Sequence, residues 1–300
     1  MSVAVRDPGR VLVTGGQGFL GSALVTRLRD TGYDVTATDV AAEGVACDLT
    51  DFEQVEAVVN GGYQTIFHCG AVSGPMVLAD QPLAIWRINA LGTAHLLEAA
   101  RLHRVERVVV CSTSEVYGAV RGPVDEQSLP HPASVYAASK LAAEAATLGY
   151  AREHRLDAVA LRLSWIYGPG RRTPTTLEDV LRAVLAGREA RFDAGPGDIT
   201  HYLYIDDAVT GLVCAGYAAA LPERIYNITA GPGIPVHVIA DILKRLHPDA
   251  RISLDPRGTA DGGPSEIDNR RAAGQLGFHP AMTLQAGLAA YLRALKRSRF

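Results

Sequence analysis

The feature that most constrains this chain is the stretch Val11-Leu12-Val13-Thr14-Gly15-Gly16-Gln17-Gly18-Phe19-Leu20-Gly21. Its short apolar run, rich in valine, reads as a buried parallel strand. The run ends in glycines spaced G-x-x-G-x-x-G, at Gly15, Gly18 and Gly21, which hand the chain to a helix. In such a turn the first glycine allows the tight bend and the second lets backbone approach a pyrophosphate. The third lets the new helix pack close to the sheet. The helix start, with Phe19 and Leu20 in it, offers unpaired N–H groups and a partial positive charge to phosphates. The spacing predicts a dinucleotide site along Gly15, Gly18, Phe19, Leu20 and Gly21.

A second apolar strand, 35–38, ends at Asp39, 18 residues after Gly21, where a ribose-binding acid belongs. That carboxylate can accept hydrogen bonds from both ribose hydroxyls of NAD and repels the extra phosphate of NADP. No arginine follows it directly. NAD is the expected cofactor. Asp48-Leu49, after a third short segment, could flank the adenine ring or simply close a strand.

Strand and helix signals alternate. Strands are expected at 11–14, 35–38, 65–68, 107–112 and 157–163, and helices at 19–31, 51–60, 89–103 and 136–154. Alternation of this kind predicts an α/β fold, a Rossmann-type doubly wound parallel sheet. After Gly168-Pro169-Gly170 the pattern loosens. A helix is read at 176–186, short strands near 190–193 and 201–205, and a helix start at Asp206-Asp207. Then come a strand at 224–228, a helix at 236–247, a strand at 251–254 and a helix at 283–297. The glycine-rich loop 256–264 is expected to shape a site mouth. We read residues 1–165, with part of 201–228, as the NAD-binding domain, and 166–300 mostly as a smaller, interleaved C-terminal substrate lobe.

Composition narrows the partners. Among 300 residues the formal net charge is −3, which leaves no basic stripe for nucleic acid. No apolar run reaches the roughly 20 residues of a membrane span, and no signal-peptide pattern opens the chain. The four cysteines, Cys47, Cys69, Cys111 and Cys214, are widely separated and form no C-x-x-C pair. No metal site is expected, and a reducing cytoplasm fits them best.

Tyr136-Ala137-Ala138-Ser139-Lys140 sets a phenol and an ammonium four residues apart, on one face of a helix. A free tyrosine, with a pKa of about 10, is a poor base at neutral pH. A lysine nearby favours the phenolate. The pair suits proton exchange with a carbinol while hydride moves to a nicotinamide. The strand at 107–112 runs into Ser112-Thr113-Ser114-Glu115-Val116-Tyr117-Gly118. Ligands bind beyond the carboxyl ends of strands in such sheets. Hydroxyls there can hydrogen-bond a substrate oxygen, and Glu115 reads either as a second acid/base or as a helix-start carboxylate.

These residues, with Arg162-Leu163-Ser164-Trp165-Ile166-Tyr167-Gly168-Pro169, resemble the extended short-chain dehydrogenase/reductases, and more closely their NAD-dependent epimerase/dehydratase branch. The resemblance runs from about residue 10 to Gln275-Leu276-Gly277-Phe278-His279-Pro280. It implies that Thr113 polarises the substrate with Ser112 beside it, that Tyr136 is the base, and that Lys140 also holds the nicotinamide ribose. It implies further that Asp48 and Leu49 meet adenine, that Ala71 and Leu163 lie along the cofactor, and that Asn89 belongs to the cofactor set. Ser73, Ser114, Trp165, Arg171 and Arg257 are expected on the substrate side. The helices at 89–103 and 136–154 resemble those of a four-helix homodimer interface.

Two departures stand out. Where the family has Asn, Trp165 stands, and an arginine expected before Tyr202 is replaced by Thr200-His201. In relatives those residues help hold a nucleotide diphosphate. Arg171, Arg172 and Arg257 could substitute, or could bind the carboxylate of a sugar acid. The reading is NAD-dependent oxidation of a secondary hydroxyl of a sugar or nucleotide-sugar, of epimerase or dehydratase type. The alternatives are an NAD-consuming dehydrogenase of a free sugar or sugar acid, and a non-catalytic NAD-binding regulator.

Overall fold

A computed structural model describes residues 4–41, 44–255 and 263–298. The valine-rich runs form β1 (Val11–Thr14), β2 (Val35–Asp39), the short β3 (Val45–Ala46), β4 (Thr65–His68) and β5 (Arg107–Thr113). Between them run α1 (Phe19–Asp30), α2 (Phe52–Val59), α3 (Pro82–Trp86) and α4 (Gly92–Leu102). After β5 come β6 (Pro123–Val124), α5 (Val135–Glu153), β7 (Ala158–Leu163) and β8 (Trp165–Tyr167). Then follow α6 (Thr176–Leu185), β9 (Ala190–Phe192), β10 (Ile199–Thr200), β11 (Tyr202–Tyr204), α7 (Ile205–Tyr217) and β12 (Ile225–Ile228). The chain finishes through β13 (Ile234–Pro235), α8 (Val236–Leu246), β14 (Ile252–Leu254), β15 (Glu266–Ile267), α9 (Arg270–Leu276) and α10 (Leu284–Arg297).

Seven strands form one sheet in the order β12-β7-β5-β4-β1-β2-β3, and every pairing in it is parallel. The order reverses at β1. Chain connections leave β1 toward β2 on one side and arrive at β4 on the other, which opens a crevice at the carboxyl ends of the two strands. Both faces are covered, as the uniform burial of β1, β4, β5 and β7 requires. Val11, Val13, Val109, Val159 and Leu161 pack on α1, α7 and α9. Leu12, Ile66, Val108 and Val110 point the other way, onto α2 and α4.

A second core holds the small lobe. Tyr167, Leu177, Leu181, Phe192, Tyr204, Ile239, Leu243, Leu288 and Tyr291 meet there, from segments spread over 167–295. The pair β8–β11 joins the lobe to the sheet, with Trp165 opposite Tyr202 and Tyr167 opposite Tyr204. Among the described residues no helix is long and apolar enough to cross a membrane.

Two helices differ from the pattern read in the sequence, and the short strands β6, β8, β10, β13 and β15 are not foreseen by it. The helix expected from 89 begins at Pro82, and a π-turn, Arg87–Leu91, divides it. Proline suits a first helical position, but Leu83 and Trp86 are exposed, so the segment has no apolar stripe to betray it. The short α9 escapes for a similar reason: seven residues with two arginines and a glycine carry little periodicity.

Candidate active site

The glycine turn fits a dinucleotide for want of side chains. Gly15 has a φ of +66°, and a Cβ there would lie 2.5 Å from the Gly70 nitrogen. At Gly21 a Cβ would lie 2.1 Å from the Gly15 oxygen. Any larger residue at either place would push the turn off the strand ends. The Asp39 carboxylate sits at the rim, accepting hydrogen bonds from the Gln17 N–H at 3.1 Å and the Val40 N–H at 2.9 Å.

Three hollows follow one another from this turn. One of about 840 Å³ runs from Gly15 and Asp39 to Asp48, Leu49 and Ala71. The next, about 480 Å³, shares Gly15, Asp39 and Ala71 with it and passes over Gly18, Phe19, Leu20 and Gly21. Ser73, Ser112, Thr113, Glu115, Tyr136, Lys140, Leu163, Trp165 and Arg171 line its far half. A third, about 510 Å³, shares Glu115 and Trp165 with the second and is lined further by Ser114, Thr200, His201 and Tyr202. The expected site residues thus converge, with two exceptions. Arg257 lies outside the described residues, as does most of the loop 256–264. Asn89 lines none of the three hollows. It is buried behind the wall, where its amide bonds both the N–H and the C=O of Val72 and the hydroxyl of Ser139.

Local structure aims the reactive groups. The Ser134 hydroxyl caps α5 at the Ala137 N–H, so Tyr136 and Lys140 leave the first turns of that helix on its sheet-facing side. The Thr113 hydroxyl accepts from the Glu115 N–H at 3.2 Å and caps a 3-10 turn, Ser114–Tyr117. Glu115 is therefore a turn-start carboxylate and also a wall of two hollows. Burial pushes its carboxyl up from the ordinary carboxylate range. Tyr136 departs from expectation. Burial drives the phenol up to about 12, only partly offset by its hydrogen bond with Thr113. Nearby, the Lys140 Nζ donates to the Cys111 carbonyl at 2.8 Å, and burial lowers its own pKa. Sequence reading also missed a contact: parallel pairing brings the Cys69 and Cys111 sulfurs to 3.7 Å at the edge of the cleft.

A model of the NAD-dependent epimerase/dehydratase family matches residues 11–229. The chain belongs to that family. It is 31% identical to UDP-glucose 4-epimerase of Mycolicibacterium smegmatis over 93% of this chain and 96% of that one. With dTDP-glucose 4,6-dehydratase of Streptomyces niveus it shares 30% over 93% and 90%. Among solved structures, MoeE5 in complex with UDP-glucuronic acid and NAD superposes with a TM-score of 0.84 at 32% identity, covering 97% of this chain and all of that one. UDP-glucose 4-epimerase of Thermotoga maritima gives 0.88 at 26%, with coverage of 97% and 100%. As a member of the epimerase/dehydratase family the protein is an NAD-dependent enzyme, and NAD is its cofactor.

Within this family member, His68 braces the end of β1 through partners far apart in the sequence, Thr14 and Thr93. Thr93 donates its hydroxyl proton to the Asn89 carbonyl at 2.6 Å, so toward His68 it can only accept, from Nε2–H at 3.0 Å. Nδ1 is then an acceptor, and the Thr14 hydroxyl donates to it at 2.7 Å. Thr14 in turn accepts from the Gly70 N–H at 3.3 Å. The tautomer follows from this proton count alone. Burial, with Lys140 near, pushes the imidazole down to about 3 from 6.5. Folded His68 therefore stays neutral where the unfolded chain takes up a proton. Its contribution to stability is present above the unfolded value near 6.5 and is lost as pH falls from there toward 3. Nitrogen-detected NMR should find His68 neutral, protonated at Nε2, throughout pH 5–8. A titration midpoint inside that window would refute the assignment.

Proposed function

We propose that this enzyme oxidises a secondary hydroxyl of a sugar or nucleotide-sugar and processes the resulting ketone in an epimerase- or dehydratase-type reaction. One observation carries the reading: the Tyr136–Thr113 pair lies in the same cleft as the glycine turn and shares a wall, Glu115 and Trp165, with the adjoining 510 Å³ hollow. NAD, when bound, supplies the hydride acceptor. Tyr136 takes the hydroxyl proton, and Thr113 orients the oxygen that loses it. Lys140, fixed on the Cys111 carbonyl, keeps a positive charge behind the phenol. Because burial favours the neutral phenol, the phenolate needs further positive charge at the nicotinamide side of the cleft. Glu115, whose carboxyl is pushed toward its neutral form, is suited to move a second proton at the carbon beside the ketone. A dehydrogenase releasing reduced cofactor has no use for that carboxylate.

The substrate is placed in the third hollow, between the carboxyl end of β5 and the small lobe. Trp165, Thr200 and His201 line it, the last two where the resemblance leads one to expect an arginine. The division read in the sequence, a cofactor domain over 1–165 with part of 201–228 and a substrate lobe mostly over 166–300, is proposed on the same grounds. We propose also that the protein is a homodimer. Leu91 and Leu102 on one helical stretch, and Val135 and Leu148 on α5, are exposed apolar side chains on helices that pack together. A cytoplasmic location is proposed from cysteine usage, and cell fractionation reads it.

Tyr136→Phe should leave folding and NAD binding nearly intact and cost on the order of 10²–10⁴-fold in rate. Activity within a few-fold of wild type would identify another base.

Glu115→Gln separates the two chemistries. In single turnover it should still build enzyme-bound reduced cofactor, read by absorbance, while product formation slows strongly. If both signals match wild type, the carboxylate serves only the turn and the epimerase/dehydratase reading fails.

Sedimentation should give the mass of a dimer, and Leu91→Glu with Leu148→Glu should shift it to monomer. A monomeric wild type at micromolar concentration contradicts the dimer.

A further inference from the structure

Two thiols at the cleft take no part in the proton chemistry of Tyr136. Cys69 follows β4 directly, and Cys111 lies in β5 one place beyond Val110, the residue opposite His68. They therefore stand side by side on neighbouring parallel strands, on the sheet face that packs against α1 and α7. Their sulfurs share a hydrogen bond at 3.7 Å. Among the described residues no other two cysteines do so. Both line the hollow that passes over the glycine turn, so the pair opens to the cleft as well as to the core. Cys69 is half-buried, and Cys111 is 7% exposed.

Neighbouring strands run about 4.7–4.9 Å apart, within the roughly 4.4–6.8 Å that a disulfide spans between Cα atoms. To bond, the sulfurs must close to about 2.05 Å. Side-chain rotation supplies part of that closure, and a drawing together of the strand ends supplies the rest. Both backbone mounts carry something else. The Cys69 N–H donates to the Thr14 carbonyl at 3.1 Å. Gly15 sits so close to the chain after it that a Cβ there would lie 2.7 Å from the Cys69 carbonyl carbon. The Cys111 carbonyl accepts from Lys140 Nζ at 2.8 Å. Joining the sulfurs thus pulls at once on the seat of the glycine turn and on the seat of Lys140. The hydrogen bond with Cys69, helped by the Lys140 charge, lowers the Cys111 thiol from its ordinary value against the effect of burial. That favours the thiolate, the reactive form.

We propose that Cys69 and Cys111 are an oxidation site, closing to a reversible disulfide that weakens NAD binding, with a peroxide as the oxidant. The Cys111 thiolate attacks one oxygen of hydrogen peroxide and breaks the O–O bond. Cys111 becomes a sulfenic acid, and the other oxygen takes a proton and departs as water. The Cys69 sulfur then attacks the Cys111 sulfur. The S–S bond forms, the S–O bond breaks, and the hydroxyl leaves with the Cys69 proton as a second water. Two thiols lose two electrons, and the peroxide is reduced to two waters. A small dithiol reverses the change by exchange. In a reducing compartment a disulfide of this kind is transient and senses oxidant. The inference rests on NAD lying along the glycine turn, and not on the proton chemistry assigned to Tyr136.

The test uses the full, reduced chain as wild type, Cys69→Ala and Cys111→Ala. Each is treated with hydrogen peroxide, blocked with N-ethylmaleimide and mapped by peptide mass spectrometry. Each is also titrated with NAD by calorimetry before oxidation, after it, and after dithiothreitol. In wild type the expected result is a peptide pair linked through Cys69 and Cys111 and lighter by two hydrogens. NAD binding should weaken at least about fivefold with the link and recover with dithiothreitol. Neither variant should show the link or the weakening. Absence of the link, or a link to Cys47 or Cys214 in its place, overturns the proposal. So does a link that leaves NAD affinity less than about fivefold weaker. A weakening that persists in the variants, or that dithiothreitol does not reverse, also overturns it, because another oxidised group is then the cause. Should a variant fail to fold, the wild-type link and its reversal decide alone. Turnover is not read, so a failure of Tyr136 as base leaves this result standing.

Discussion

The buried ion pair between Glu144 and Arg162, at 2.8 Å, is the interaction on which the seating of α5 against the sheet hangs. The face of α5 turned to the sheet is polar: Tyr136, Ser139, Lys140, Glu144 and Thr147 are all buried. A helix with such a stripe cannot be held by apolar contact alone. Each group is matched instead. Ser139 donates to the Tyr136 carbonyl, Lys140 to that of Cys111 and Thr147 to that of Ala143. Glu144 takes Arg162 and the Ser112 hydroxyl together. Arg162 also lies over the Tyr117 ring at 4.8 Å. One carboxylate thereby ties α5 to β5 and β7, the two strands whose ends carry Thr113 and Leu163. Removing one partner of such a pair costs about 3–5 kcal/mol, because the other charge stays buried alone.

Burial sets both the precision and the chemistry here. The polar stripe is withdrawn from water, so the phenol, the Glu115 carboxyl and the His68 ring all shift toward their neutral forms. A site built this way holds few charges of its own. Those that line the cleft, among them Asp39, Lys140, Arg171 and Arg172, are where electrostatic work can be done on a ligand.

Much of this was legible in the chain. The glycine spacing, the valine runs and Asp39 led to the parallel sheet and its cofactor because each is a local pattern with a local cause. Tyr136, Thr113 and Glu115 could be placed because they stand at the ends of strands or the starts of turns. What could not be read depends on pairing between distant segments. The meeting of Cys69 with Cys111 and the bracing of Thr14 by His68 follow from strand order, and the withdrawal of Asn89 from the cleft from its bonds to Val72 and to Ser139 of α5. The spacing of Tyr136 and Lys140 suggested a lowered phenol pKa. Spacing carries no information about desolvation, and desolvation won.

The last helix has a consequence for how the molecule is made. Gly287, in α10, touches β8 so closely that a Cβ would lie 2.0 Å from the Tyr167 oxygen. Leu288, Tyr291, Leu292 and Leu295 complete the second core. Six of the seven sheet strands lie within residues 11–163, but one face of the sheet is covered by α7 and α9, so its core is complete only with residues up to 278. The second core closes later still, since it needs segments from 167 to 295 at once. Vectorial synthesis would therefore deliver most of the sheet early and leave both cores open until the last helices leave the ribosome. A chain stopped short of α10 would keep the glycine turn at the end of β1 but lack the helix that completes the second core.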